Sequence, residues 1–140
     1  AGTDEARTMP AVAALAESSW RRFPKQTTNA LAEPAVRDAV EALLAEGVGD
    51  IVVCGDCTDL CIYQAAMSLQ VLLNQPAYAR YRAAQVIAAA TAVQTYDLPV
   101  GQAVARGVQP HPGDLMHALF LHHLALNGVR VVRTITWMAS

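Results

Sequence analysis

The chain is predicted to fold as an α/β domain, a three-layer α/β/α arrangement around a mainly parallel sheet. Three observations predict it. Short apolar runs alternate with longer stretches of helical spacing, the pattern of successive βαβ units. No internal repeat, low-complexity run or linker divides the 140 residues, so a single domain over 1–140 is expected. Hydrophobic residues make up 54% and charged residues 16%, enough apolar material for a real core and too little charge for disorder.

The elements follow in order. Arg7 to Glu17 carries Met9, Val12, Ala13 and Leu15 at loosely helical spacing. Trp20 to Phe23 is short and aromatic and reads as a strand ending at Pro24-Lys25. Pro34 suits a first helical position, where its missing N–H would have no partner anyway. Val36, Val40, Leu43 and Leu44 then form one apolar stripe, closed by Gly47 and Gly49. Ile51-Val52-Val53-Cys54 is continuously apolar, which predicts a buried strand with Cys54 in the core. Asp59 to Asn74 is helical and Pro76 ends it. Ala84 to Ala92, with Val86 and Ile87, suggests another buried strand. Tyr96 to Pro112 reads as the one long irregular segment. His111-Pro112-Gly113-Asp114 leads into a helix over Leu115 to Leu126, Gly128 stops it, and Val129 to Val132 makes a last strand.

A net charge of -2 leaves no basic footprint for nucleic acid. Arg, Gln and Asp break every apolar stretch well before membrane-spanning length, and no signal-peptide pattern opens the chain. The three cysteines crowd into one short segment, a poor disulfide framework, so a reducing cytoplasm is expected.

That segment, Cys54-Gly55-Asp56-Cys57-Thr58-Asp59-Leu60-Cys61, leaves a strand at its carboxyl end, where parallel sheets place their sites. Cys61 falls just inside a helix N-terminus. Unpaired amides and the positive end of the dipole favour thiolate there, so Cys61 is the candidate nucleophile. Gly55 permits a sharp turn, and Thr58 or Asp59 can cap the helix. Amides near Cys57 and Cys61 would point beside the sulfur, an oxyanion hole in outline. The plain alternative is a small cysteine packed at a helix start, and spacing alone leaves both open. Cys54 and Cys57 form a CxxC, but Cys54 belongs to the strand. A closed zinc site needs four ligands, and no second pair stands at suitable spacing. His111, His117, His122 and His123 include no HxxxH pair, so packing, capping or interface roles are expected of them.

At Gly55-Asp56-Cys57-Thr58-Asp59-Leu60-Cys61-Ile62 the chain resembles the isochorismatase-like cysteine hydrolases, a superfamily that includes nicotinamidases and carbamoyl-amide hydrolases. Their pattern runs strand-Gly-x-x-Thr-Asp-x-Cys-Val. The resemblance implies Cys61 as nucleophile, a cis peptide between Asp56 and Cys57, and an oxyanion hole from the Cys57 and Cys61 amides. Lys25-Gln26-Thr27-Thr28-Asn29-Ala30-Leu31 looks like the segment of the family's catalytic lysine, with Leu31 where Phe is usual. Lys25 would hold the thiolate. Ala1-Gly2-Thr3, with Pro10, resembles the family's Gly-Thr segment.

The family's third catalytic residue is an aspartate on a strand upstream of that Gly-Thr segment. This chain opens at the segment itself, so it is expected to be the C-terminal portion of a longer polypeptide, the remainder being cleaved, held as a companion chain that carries the aspartate, or lost. Asp56, Asp59, Asp97 and Asp114 offer no obvious substitute. The implied reaction is hydrolysis of a small-molecule C–N amide through a thioester, with no cofactor. Cysteine-independent hydrolysis of the isochorismate vinyl ether, or a non-catalytic structural fragment, are the alternatives. A homo-oligomer is implied, with neither nucleic acid nor membrane as partner.

Overall fold

Proline opens the first two helices, as its fixed φ allows: α1 is Pro10–Ala14 and α2 is Pro34–Ala45. The computed structural model describes residues 7–15 and 20–136. Strand β1 (Asp50–Asp56) leads through one π-helical turn, Thr58–Ile62, into α3 (Tyr63–Leu73). Strand β2 (Gln85–Gln94) follows, then α4 (Val100–Arg106), α5 (Gly113–Leu126) and β3 (Arg130–Val132). The sheet runs β1-β2-β3 with both pairings parallel, Val52 beside Ile87 and Ala88 beside Val131. Parallel neighbours need long crossovers, and α3 and α5 lie in them.

The central strand explains the alanines. Ala88 and Ala89 of β2 are fully buried, flanked by strands on both sides. Small side chains there let Ala66 and Leu69 of α3 and Leu121 and Leu124 of α5 close onto Val86 and Ala88. Leu44 of α2 and Leu31 complete the same core. The α/β class and the parallel sheet are therefore as the sequence pattern predicts. Among the described residues no helix is long and apolar enough to cross a membrane.

Several local expectations give way. Residues 20–23 form no strand; they run unpaired, with Trp20 and Phe23 exposed. Four residues cut off by Pro24, which has no N–H to donate, cannot hold a ladder without an adjacent strand. Cys54 is exposed rather than in the core, because β1 lies at the sheet's edge. A continuous apolar run predicts neighbours on both sides, and β1 has a neighbour on one side only among the described residues. Helix α4 occupies part of the Tyr96–Pro112 stretch expected to be irregular, and a 3-10 turn over Pro76–Tyr81 follows the end of α3, where no element is expected. Gly107 ends α4 at φ 64°, the left-handed position that glycine fills without strain. Ala1-Gly2-Thr3 and Glu17 lie outside the described residues.

Candidate active site

The cysteine segment begins where β1 leaves its regular register. Pairing with β2 shifts between Val53 and Gly55, and Gly55 adopts φ 123°, a conformation that side chains rarely tolerate. The following Asp56–Cys57 peptide is cis. The chain then winds into the π-helical turn. The Cys57 carbonyl accepts from the Leu60 amide at 3.2 Å and the Ile62 amide at 3.1 Å, the two that flank the Cys61 amide. Single π turns inside helices are recurrent at functional sites. Cys61 is half-buried on this turn.

Lys25 is brought to it from the preceding loop. Its Nζ donates to Cys61 Sγ at 3.4 Å and to the Thr27 carbonyl at 3.2 Å. The loop is braced internally: the Glu33 carboxylate accepts from the Gln26 amide at 2.8 Å, and Asn29 Oδ1 accepts from the Leu31 amide at 3.1 Å. It is also tied to α3. Thr28 Oγ1 donates to Gln64 Oε1 at 2.9 Å, and Asn29 Nδ2 donates to Ser68 Oγ at 3.0 Å. Cys61, Gln64 and Ser68 are three and four residues apart and share one helical face. The loop that carries the lysine therefore lies along the same face as the sulfur.

The other side of the turn is held by histidines. Thr58 is fully buried, and its hydroxyl is hydrogen-bonded to His117 Nδ1 at 2.9 Å. Asp59 is buried too. Its Oδ1 accepts from Thr95 Oγ1 at 2.5 Å, and its Oδ2 lies 2.8 Å from His111 Nε2. Tyr63 OH is bonded to His123 Nδ1 at 2.9 Å, and its ring packs edge-on against Phe120 at 4.9 Å. Thr58 and Asp59 thus brace the turn against neighbouring elements and do not cap the helix, whose N-cap has no side-chain hydrogen bond. Capping was expected because both residue types prefer that position; long-range partners displaced it.

His111 faces two acceptors, since its Nδ1 lies 2.8 Å from the Tyr96 carbonyl while Nε2 meets Asp59. Both acceptors require an N–H, which fits the imidazolium. The hydrogen bond to Asp59 is the main reason its pKa is raised, against the opposing effect of burial, with the Tyr96 carbonyl adding to the rise. For Asp59, burial pushes the carboxyl up, but the hydrogen bonds from Thr95 and His111 outweigh it and the net shift is downward. The Tyr96 ring stacks on His111 at 3.9 Å between centroids.

Among the described residues the hydrogen-bond partners of Lys25 are Cys61 and the Thr27 carbonyl, with no carboxylate among them. Asp59 is engaged as above, and Asp97 Oδ1 accepts from the Gly113 amide at 2.8 Å.

A scan against protein-family models and a search of curated proteins return no match. A search of solved structures finds a "putative isochorismatase hydrolase" from Oleispira antarctica at TM-score 0.52 and 20% identity. The match covers 78% of this chain and 48% of that one, so the chain spans about half the length of the structure it matches. The fold is isochorismatase-like. At such identity the likeness is one of backbone architecture, and within this isochorismatase-like fold the side-chain geometry has to carry the chemistry.

Sequence reasoning named Lys25, Asp56, Cys57 and Cys61, and the structure brings the lysine to the cysteine turn across 36 residues. It did not find Gln64 and Ser68, whose spacing from Cys61 on one helix face was the available signal. It also missed Thr95 and His111 as partners of Asp59, because a single histidine in a proline-rich stretch carries no periodic mark.

Proposed function

We propose that this chain carries the nucleophile and the lysine of a cysteine-dependent hydrolase acting on a small-molecule C–N amide. The observation that carries the reading is the 3.4 Å contact between Lys25 Nζ and Cys61 Sγ at the carboxyl end of β1. A lysine Nζ that donates to the sulfur holds it in place and is set to meet negative charge there by a charge-assisted hydrogen bond.

In this mechanism the Cys61 thiolate attacks the amide carbonyl and a C–S bond forms. The tetrahedral oxyanion is met by the Cys57 and Cys61 amides. The use of the Leu60 and Ile62 amides by the Cys57 carbonyl supports a role for the Cys61 amide, which lies between them. The C–N bond then breaks, the leaving amine takes the proton that Cys61 gave up, and water hydrolyses the thioester to the free acid and thiol. That proton needs an intermediate carrier. An aspartate on a companion segment, seated beside the edge that β1 presents among the described residues, completes the proposal. It is supported by the edge position of β1 and by the absence of a carboxylate among the described partners of Lys25. Self-association is part of the same proposal, supported by Leu115, Leu119 and Leu126 standing exposed along α5.

The test begins with peptide-resolved iodoacetamide alkylation of the purified full chain. Cys61 should react faster than exposed Cys54, and Lys25→Ala should slow Cys61 by about tenfold, the order of one charge-assisted hydrogen bond. Denaturing intact mass then looks for a companion peptide, and small primary amides are screened for ammonia release that Cys61→Ala abolishes. Equal reactivity of Cys54 and Cys61, unaltered by Lys25→Ala, would favour a structural fragment. Full turnover by Cys61→Ala would refute cysteine chemistry.

A further inference from the structure

We infer that His111 is a positioning residue for the Cys61 thiolate, acting through Asp59; the inference rests on the nucleophile reading above. Asp59 sits two residues before Cys61 on the π-helical turn and is buried there with its two carboxylate oxygens separately engaged, Oδ1 by Thr95 and Oδ2 by His111. Two donors on two oxygens fix the rotation of the carboxylate as well as its place. The turn that bears the sulfur is thereby tied to the end of β2 through Thr95 and to the entry of α5 through His111.

His111 is itself fixed from three directions. Its ring lies between Asp59 and the Tyr96 carbonyl and is stacked on the Tyr96 ring. Its backbone pairs with Leu98 in both directions, at 2.9 Å for the bond it donates and 2.8 Å for the one it accepts. That bridge closes the base of the loop containing α4. A strut with so little freedom transmits the position of the α4–α5 connection to the cysteine turn. Across the turn the Lys25 loop is anchored further along the same helix, on Gln64 and Ser68 of α3. The turn is therefore braced by the histidine on one side while the lysine loop is tied to α3 on the other, and loss of the histidine strut releases the turn on the side away from the lysine. Misplacement on the scale of an ångström is enough to lower a rate by orders of magnitude.

The experiment uses the full chain and measures an alkylation rate for each of the three cysteines by peptide mass spectrometry, with the thermal midpoint recorded alongside. In His111→Ala, Cys61 should slow by about tenfold relative to Cys54. His111→Gln keeps a donor toward Asp59 and should return Cys61 to within about threefold of the starting protein. Thr95→Val, which removes the other donor, should repeat the selective loss and serves if His111→Ala does not fold. The assignment is overturned if Cys61 keeps its rate in a folded His111→Ala, or if all three cysteines speed up together, the mark of a merely structural role. A glutamine variant as slow as the alanine variant overturns it as well. The underlying nucleophile reading fails by a different sign: in the unsubstituted protein Cys61 would be no faster than Cys54, and Lys25→Ala would change nothing.

Discussion

Replacing Asp59 by Asn removes a charge from a pair whose side chains are only 7% exposed at Asp59 and 12% at His111. Asn keeps the size and one acceptor oxygen, so the loss is that of the charge-assisted component of two hydrogen bonds. About 2 kcal/mol is expected at pH 5.5, which for a chain of this length lowers the thermal midpoint by about 7 °C. The pH dependence supplies the sharper check. The Asp59 pKa is lowered from 3.8, so its contribution is present above that value and lost as pH falls through the lowered folded-state pKa. The His111 pKa is raised from 6.5, so its contribution is full below that value and lost as pH rises through the raised folded-state pKa. The advantage of the unsubstituted protein over Asp59→Asn is therefore greatest between roughly pH 4 and 6.5 and shrinks on either side. Thermal unfolding followed by circular dichroism across pH 3 to 9 measures it. A difference within about 2 °C at pH 5.5, or one that grows steadily into alkali, would refute the reasoning.

Three further outcomes follow. Gly113→Ala would set a Cβ 2.8 Å from the Tyr96 carbonyl and 3.2 Å from Asp97 Cβ, so a loss of about 1–3 kcal/mol is expected in denaturant unfolding. Asn29→Ala removes both the acceptor for the Leu31 amide and the tie to Ser68; it should cost about 1 kcal/mol and weaken the Lys25 dependence of Cys61 alkylation. Leu124→Ala empties a fully buried position between α5 and the sheet, and should cost about 2–5 kcal/mol by chemical denaturation with the cysteine turn otherwise unaltered.

Much of the fold was legible because burial writes a period into the sequence. Val36, Val40 and Leu44 on α2, or Leu121 and Leu124 on α5, recur at helical spacing because a face of each helix is covered. The strand readings around Val52 and Val86 held because short continuous apolar runs suit a parallel sheet. Trp20 to Phe23 misled because an aromatic run says nothing of whether a neighbouring strand exists to pair with it. Cys54 misled because an edge strand and a central one can share the same apolar letters. In the candidate site, Cys61 and Lys25 could be named from local sequence, since a turn, a helix start and a short motif are all contiguous. The Asp59 contacts with Thr95 and His111 join residues 36 and 52 positions apart, and one sequence carries no sign of which distant donor meets a given carboxylate.

The three histidine contacts behind the cysteine turn also set a timetable for biosynthesis. Asp59, Thr58 and Tyr63 meet partners that follow them in the chain by 52, 59 and 60 residues. At synthesis rates of about 5–20 residues per second, those partners are added roughly 3–12 s after the cysteines themselves. During that interval the growing chain already has Lys25, Gln64 and Ser68, but lacks the histidines that brace the opposite side. The turn that carries the thiols is thus made early and braced late, and a slower ribosome lengthens the interval between the two.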